Sequence, residues 1–416
     1  MSARTTAAAS GPGTGTPAGR DAWAVTVCRD GAEFGRLAGE WGRLYRRCRT
    51  VTPFQSHSWL YSWWLSYGVL GTLRVVLVRH GGTLVAAAPL RLVRGPVPVL
   101  TPLGGAITDF TDVLVDDARP QALAVLARAL RGLARTAVLD LREVRPGAAA
   151  ERLYAGWVGP RARLTDSTCL ELPARPIEEL IARLPSPRAQ KVRAKLRRLD
   201  RMEIEEHAVP GGEVPAALDR LLALHRRQWA GRGVTPEHLS ARFAEHLGRA
   251  VRLMVEAGEA RVTEFRIAGE LVASDLTLLS PRLAGGYLYG ADPVLRSGKA
   301  DVTTLLLRSG ARESSARGRS VLSLLRGREP YKNHWRPEAV TNRRLLLARR
   351  RTAVPLLVLA GCAALRTRAA ELLRDRDRGR GRGLARRPGR TRLPARPGHP
   401  GRFRALRRLR RGGGAG

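Results

Sequence analysis

The run Arg296-Ser297-Gly298-Lys299-Ala300 places two cations, a hydroxyl and a glycine directly before an apolar-periodic stretch that reads as a helix to about Ala316. The first turn of a helix has backbone N–H groups without intrahelical partners and carries the positive end of the dipole. Together with Arg296 and Lys299 these suit a pyrophosphate. The alternative is that Gly298 only relieves backbone sterics, because the run completes neither G-x-x-x-x-G-K-[ST] nor G-x-G-x-x-G. Upstream, Asp275 interrupts the apolar strand Val272-Ala273-Ser274-Asp275-Leu276, where burial would lift its pKa toward a useful range. An exposed strand carboxylate is the other reading. His225, on a helical stretch ending at Trp229, titrates near neutrality unless it is structural. Glu264 is a weaker third candidate.

The elements that must position these residues follow from periodicity and turn residues. Helical patterns cover Phe54–Tyr67, Pro120–Arg135, Ile177–Leu184, Arg188–Leu199, Val214–Ala230 and Pro236–Ala250. Strands are expected at Leu73–Arg79 and Thr83–Leu90, joined by His80-Gly81-Gly82, and at Ala137–Leu141. A second series, Val251–Glu256, Ala260–Ile267, Leu271–Leu279 and Ala284–Tyr289, is punctuated by Gly258, Gly269 and Ser280-Pro281, as in an antiparallel meander. Strand Ser320–Leu325 closes the second block. Strict alternation would put Tyr287 and Tyr289 on one face of the sheet.

The order of meander, Gly-Tyr-Leu-Tyr, Asp-Pro, loop, helix and strand, then Leu325-Arg326-Gly327-Arg328-Glu329-Pro330-Tyr331-Lys332-x-x-Trp335, resembles the acetyltransferase domain of CelD-like proteins in the GNAT superfamily. His225-x-x-x-Trp229 with Arg232-Gly233 is similar to that family's upstream helix. Thr52-Pro53-Phe54-Gln55-Ser56, Trp63-Trp64, Ala88-Pro89-Leu90 and Leu103-Gly104-Gly105 through Asp109 are similar to its N-terminal half. The resemblance covers roughly 21–337. It implies an α/β (α+β) fold of two tandem GNAT-like units, mixed and mainly antiparallel sheets flanked by helices, related to FemAB-type transferases. It also implies an acyl-coenzyme A co-substrate held by Arg296, Ser297, Gly298, Lys299 and Ala300. Two departures stand out: Leu295 occupies the first position of the usual pyrophosphate loop, and Ser323 replaces an acidic residue ahead of Arg326-Gly327.

Acyl transfer needs a base for the amine and a proton for the departing thiolate. Tyr289 is the expected proton donor, with Tyr331 second; Asp275 or His225 is the expected base. Asp109, Trp229, Tyr287, Tyr331 and Lys332 are candidate contacts to an amine acceptor lying between the units, with packing, capping or solvation the alternative for each. Asp112 shares Asp109's turn, where a carboxylate commonly caps backbone N–H groups. Arg188, Lys191, Arg193, Lys195, Arg197 and Arg198 form a basic helix, solvated or directed at phosphates.

The chain of 416 residues has a net charge of +37, but only four of its 73 basic residues are lysine, a bias that reads first as GC-rich codon usage. From 341 onward 23 arginines face three acids. The expected divisions are a disordered leader (1–20), units at 21–172 and 173–340, a helical segment at 341–373 and a disordered Arg/Gly/Pro-rich tail at 374–416. Cys28, Cys48, Cys169 and Cys362 form no C-x-x-C pair and have no histidine at ligand spacing, so no metal is expected, in a reduced cytoplasmic protein. The apolar run 353–365 is shorter than the roughly 20 residues a span needs. Three functions remain: acyl-coenzyme A-dependent N-acyl transfer to a small-molecule, sugar or peptide amine; aminoacyl-tRNA-dependent transfer to envelope precursors; and non-catalytic polyanion binding through the tail.

Overall fold

The computed structural model describes residues 22–229, 235–297, 300–327, 329, 332–366 and 368–369. The leader and the Arg-rich tail read from the sequence lie outside the described residues. The chain divides into two compact units, 1–361 and 362–416; the described residues of the second are helical, and all elements below belong to the first.

Thirteen strands are found among the described residues: β1 (Trp23–Cys28), β2 (Leu73–His80), β3 (Thr83–Val93), β4 (Val99–Pro102), β5 (Leu114–Val115), β6 (Val138–Val144), β7 (Arg161–Pro173), β8 (Glu205–Ala208), β9 (Ala260–Ile267), β10 (Glu270–Leu279), β11 (Leu283–Ala291), β12 (Val321–Arg326) and β13 (Glu338–Leu347). They form one mixed sheet in the order β1-β2-β3-β4-β6-β13-β7-β12-β11-β10-β9-β8, with β5 beside β3. The order is nearly palindromic. In each half three antiparallel pairings lead to a parallel one, β4 with β6 and β11 with β12, across a crossover helix, Gln121–Leu133 in the first half and Val302–Ala316 in the second. The last strand of each half is exchanged: β7 pairs β12 of the second half, and β13 pairs β6 of the first. The boundary read at 172/173 is therefore not a break in the sheet.

Helices cover both faces, so strands bury side chains in both directions. In β2, Val75 and Leu77 join the cluster under the helices Ala38–Arg46, His57–Tyr67, Val214–Trp229 and Ala241–Glu256, whereas Val76 and Val78 join the cluster under Gln121–Leu133. On the second half, helices Ile177–Ala182, Ser186–Asp200 and Val302–Ala316 cover the opposite face. The β2–β3 hairpin turns at Gly81 and Gly82, with φ of 55° and 78°, as the two-residue turn anticipated there requires.

Two expectations are corrected. Val251–Glu256 is the end of the helix Ala241–Glu256, not a strand: Phe243, Leu247, Ala250, Val251 and Met254 recur at helical spacing and are all buried. The segment expected to be helical from 341 opens with β13, whose Leu345, Leu346 and Leu347 are fully buried; a central strand buried on both faces loses the alternation that would mark it.

The exchanged strand β13 is fixed by charge as well as backbone. Arg344 makes a two-pronged contact with Asp140 of β6, both bonds 2.7 Å, with both side chains nearly buried. Asp140→Ala would strand the guanidinium and is expected to lower unfolding stability by about 3 kcal/mol in denaturant titration. Glu256→Ala, which breaks the exposed Arg252 pair, is expected to cost under about 1 kcal/mol.

Candidate functional site

The parallel ladder between β11 and β12 has three pairs, Leu283↔Val321, Ala284↔Leu322 and Gly285↔Ser323, and then the strands part. In the first half the matching gap between β4 and β6 is closed by the chain itself: Phe110 is buried there and Thr111 bridges to Val144. In the second half the gap stays open. Gly286 stands at its apex, where an added Cβ would meet no atom within 4 Å.

Two cavities meet at this gap, one on each side of the sheet, and share Gly286, Tyr289, Leu324 and Lys332. The narrower, about 100 Å³, lies under the Val302–Ala316 helix and is lined by Asp275, Thr277, Thr303, Leu306 and Leu307. The wider, about 660 Å³, lies on the Val214–Trp229 side, with His225, Trp229, His238, Tyr287, Asp109 and Arg326 in its wall.

A β-bulge divides the tyrosines between the two sides. Leu276 pairs Leu288 while Thr277 pairs Gly286, so Tyr287 is an extra residue without a partner on β10. It therefore falls on the same face as Leu288, packing against Phe54 and Trp59 with its hydroxyl donating to the Ile107 carbonyl at 2.9 Å. Tyr289 pairs Asp275 across the strands, and both line the narrow cavity. The expectation that the two tyrosines share a face fails because the bulge shifts the alternation by one.

His225 and Asp275, the two candidate bases, are likewise separated. Asp275 accepts from the Thr277 hydroxyl at 2.7 Å, and burial lifts its carboxyl to about 7. His225 sits on the other side with Nδ1 2.7 Å from the Tyr289 carbonyl. A carbonyl only accepts, so Nδ1 carries the proton and Nε2 keeps the lone pair. Burial holds its pKa below the usual 6.5. Gly290 makes this contact possible by letting the helix backbone approach β11, since a Cβ there would stand 2.4 Å from the His225 backbone nitrogen and 2.6 Å from Leu224 Cβ. One turn on, Trp229 extends from the same helix face.

The cavity's charges are largely satisfied within the protein. Arg326 binds Asp109 at 2.5 Å and Glu143 at 3.2 Å and donates to the Ala106 carbonyl at 2.6 Å. The Lys332 ammonium holds Glu329 at 2.8 Å and the Arg326 carbonyl at 2.9 Å. Glu237 is paired with Arg242 and with the Tyr67 hydroxyl. Among the described residues, the buried side-chain polar atoms of this cavity that lack a partner are His225 Nε2 and Trp229 Nε1, one acceptor and one donor.

Other expected site residues fall as follows. Asp109, read as a hold for a cationic acceptor, has its carboxylate engaged by Arg326. Asp112 caps the Ala149–Ala155 helix, accepting from the Ala149 and Ala150 amides at 3.0 and 2.8 Å. Glu264 is clamped between Arg220 and Arg266. Tyr331, Gly298, Lys299 and the side chains of Arg296 and Ser297 lie outside the described residues. Ala300 is buried, its N–H donating to the Leu295 carbonyl at 2.8 Å, so this amide faces inward rather than toward a phosphate. The following helix is capped by its own acid: Asp301 accepts from the Thr304 amide at 3.0 Å and the Thr303 hydroxyl at 2.6 Å and is paired with Lys195. Sequence reasoning missed His238, whose ring lies 5.4 Å from His225 and whose pKa burial lowers to about 4. It also missed the Arg326–Asp109–Glu143 lock. No spacing marks either, because the partners come from distant elements.

Residues 186–333 match the family model described as an acetyltransferase (GNAT) domain. This stretch is thus a GNAT-fold, acyltransferase-like domain, and it holds the open gap and most of the residues lining both cavities, with Ala106, Ile107 and Asp109 of the wide cavity and Trp335 of the narrow one outside it. Among solved structures, FemX is similar with a TM-score of 0.57 at 10% identity, covering 77% of this chain and 98% of FemX. A conserved protein of unknown function from Bacteroides thetaiotaomicron gives 0.52 at 13% identity, covering 78% of this chain and 100% of that one. These likenesses concern the fold. No curated protein sequence matches the chain.

Two glycine substitutions separate packing from occupancy. Gly290→Ala is expected to force the Val214–Trp229 helix off β11, lowering stability by about 1–3 kcal/mol and breaking the His225 contact. Gly286→Leu has open space and is expected to keep the wild-type denaturation midpoint while abolishing ligand binding at the gap. A normal midpoint with unimpaired ligand binding in Gly286→Leu would remove the gap from the site.

Proposed function

We propose that the protein is an acyl-coenzyme A-dependent N-acyltransferase of the CelD-like kind, with the thioester entering from the narrow cavity and a neutral amine from the wide one. The single observation that carries the reading is the gap between β11 and β12, where cavities from opposite faces of the sheet meet at Gly286. Beyond the third ladder pair the two strands no longer bond to each other; side chains take up the Tyr289 carbonyl (His225), the Ala291 amide (Gln228) and the Arg326 amide (Asp109), so the strands stay apart and the opening between them can admit a ligand. The bound donor would supply an activated acyl carbonyl and a thiolate leaving group.

His225 is the base in this scheme. Its Nε2 lone pair takes the proton that the amine loses as the nitrogen bonds to the carbonyl carbon; the Nδ1–H bond to the Tyr289 carbonyl holds the tautomer and steadies the imidazolium that forms. Trp229 Nε1 is positioned to donate to the acceptor molecule. On the opposite side Tyr289 returns a proton to sulfur as the carbon–sulfur bond breaks. Asp275, protonated below about pH 7, is the second donor there. The role of base expected for Asp275 passes to His225 because the sheet stands between Asp275 and the wide cavity. Lys332 and Arg326 act as positioning residues, holding the turn after β12 at the cavity mouth. Acetyl is the acyl group to test first.

The Asp301 cap bears on donor binding: it puts a carboxylate where a diphosphate would approach the helix start. Asp301→Asn keeps a capping side chain but removes the charge. It is expected to lower the KM for acetyl-coenzyme A several-fold without lowering kcat.

The pH dependence follows from the two shifts. The base must be neutral, so kcat/KM should fall on the acid side with an inflection below 6.5, set by His225. The alkaline fall should lie near 7 and be partial, set by Asp275 as the second of the two donors. His225→Gln should lose about 10²–10⁴-fold in kcat and the acid limb with it, and Asp275→Asn should lose the alkaline limb. A thiol-release assay across acyl-coenzyme A donors and amines, with calorimetry for acetyl-coenzyme A, tests the scheme. Transfer that requires aminoacyl-tRNA and no coenzyme would reassign the donor, and no acetyl-coenzyme A binding beside a working control would remove it.

A further inference from the structure

Far from the gap, Arg131, Arg135, Arg349, Arg350 and Arg351 surround a cavity of about 840 Å³ together with Val158, Gly159 and Pro160. None of the five arginines is paired with an acid among the described residues, and the Nε of Arg131 is buried without a partner. Three arginines in a row would repel one another and the pair from the Gln121–Leu133 helix end, so holding five here without an acid favours an anion.

The chain next to this cavity is apolar in the wrong place for water. Thr352 donates to the Ala134 carbonyl at 2.9 Å, pinning the start of a helix that begins at residue 353 beside Arg131 and Arg135. Its inner face is buried through Leu356, with Leu359 and Ala360 packing on Val138, Leu346 and Ala348. Its outer face is apolar too: Val354, Leu357 and Val358 are 70%, 66% and 49% exposed, and Val158 on the cavity rim is 65% exposed. A helix apolar all round is ordinarily covered on every side.

We propose that this face docks on an anionic phospholipid bilayer, the valines and leucine entering the interface and the arginine cavity receiving headgroup phosphates. The pairing of an apolar stripe with flanking cations is the physical signature of a helix lying in a membrane interface. A second copy of the chain fits poorly, because a two-fold contact would set the five arginines against themselves. The remaining sequence fits no better as a cover: residues 370–416 contain 16 arginines and three acids, so they are repelled by the cluster and attracted to the same bilayer. Nucleic acid would use the arginines but gives the exposed valines and leucine nothing apolar to enter. No helix among the described residues is long and apolar enough to cross a membrane.

The test is co-sedimentation of the full chain with phosphatidylcholine vesicles with and without phosphatidylglycerol, at low salt and at about 0.5 M salt, where exposed charges are screened. Wild type is expected to partition to the phosphatidylglycerol vesicles and keep part of that affinity in salt. Val354→Ser/Leu357→Ser/Val358→Ser should reduce the salt-resistant part about tenfold, and Arg350→Gln/Arg351→Gln should flatten the dependence on phosphatidylglycerol content. All substitutions are on the surface, and unchanged denaturation midpoints verify the fold. If the triple variant partitions as wild type does, the tail's arginines alone account for binding and the proposal fails. It fails equally if the triple variant loses self-association in light scattering while keeping its vesicle affinity.

Discussion

The structure depends on a ladder that stops. Parallel strands β11 and β12 share three residue pairs, and each residue beyond them must find partners elsewhere or face open space. Twist alone separates strands gradually. Here the separation is abrupt, because the bulge at Tyr287 redirects β11 just where Gly286 removes the side chain that would fill the gap. The bulge also sorts function by side: Tyr287 turns to the aromatic cluster, Tyr289 to the Asp275 cavity, and the Tyr289 carbonyl becomes the anchor for His225. A single inserted residue thus sets the positions of three candidate groups.

That gap could not survive if the halves of the sheet were free to close it. The exchanged strands prevent this. β7 borders β12 and β13 borders β6, so neither half has a complete sheet without the other. Arg326, at the end of β12, reaches back to Asp109, Glu143 and Ala106 of the first half, and buried Asn342 on β13 donates to the Asp109 carbonyl and to Glu143. The first half, whose own gap is filled around Phe110, serves as the rigid wall against which the second half's gap stays open.

How much of this was legible in the sequence depended on whether a feature was local. The β2–β3 hairpin, the meander and the crossover helix announce themselves through glycine turns and periodicity, and the candidate groups Asp275, His225, Trp229 and Tyr289 stand out by residue type. The bulge does not: a one-residue insertion leaves Gly-Tyr-Leu-Tyr looking like ordinary alternation, so the two tyrosines read as neighbours. β13 escaped because a strand buried on both faces reads as a plain apolar run. The Asp301 cap was written in the sequence immediately after the expected phosphate turn. An acid at the helix start signals a helix that satisfies its own amides. Arg326 with Asp109 lay 217 residues apart, beyond any spacing argument.

The electrostatics of the wide cavity bear on what can react there. Its acids and cations neutralise one another in pairs, so an entering ammonium would find no free carboxylate to hold it charged, and the low-dielectric wall would favour its neutral form. A neutral amine is the reactive one. The imidazoles facing it are tuned the same way: burial lowers the pKa of both His225 and His238, which in the proposed scheme favours the neutral rings that neither repel an incoming amine nor arrive already protonated. The His225 Nε2 acceptor and Trp229 Nε1 donor that the protein leaves unmatched are then the groups with most to gain from an occupant, because each is buried at a cost that only a hydrogen-bonding ligand relieves. In the proposed scheme, paired charges and two unpaired neutral atoms would select a neutral nucleophile by withholding ionic contacts, the opposite of the carboxylate-lined cleft that Asp109 alone suggests.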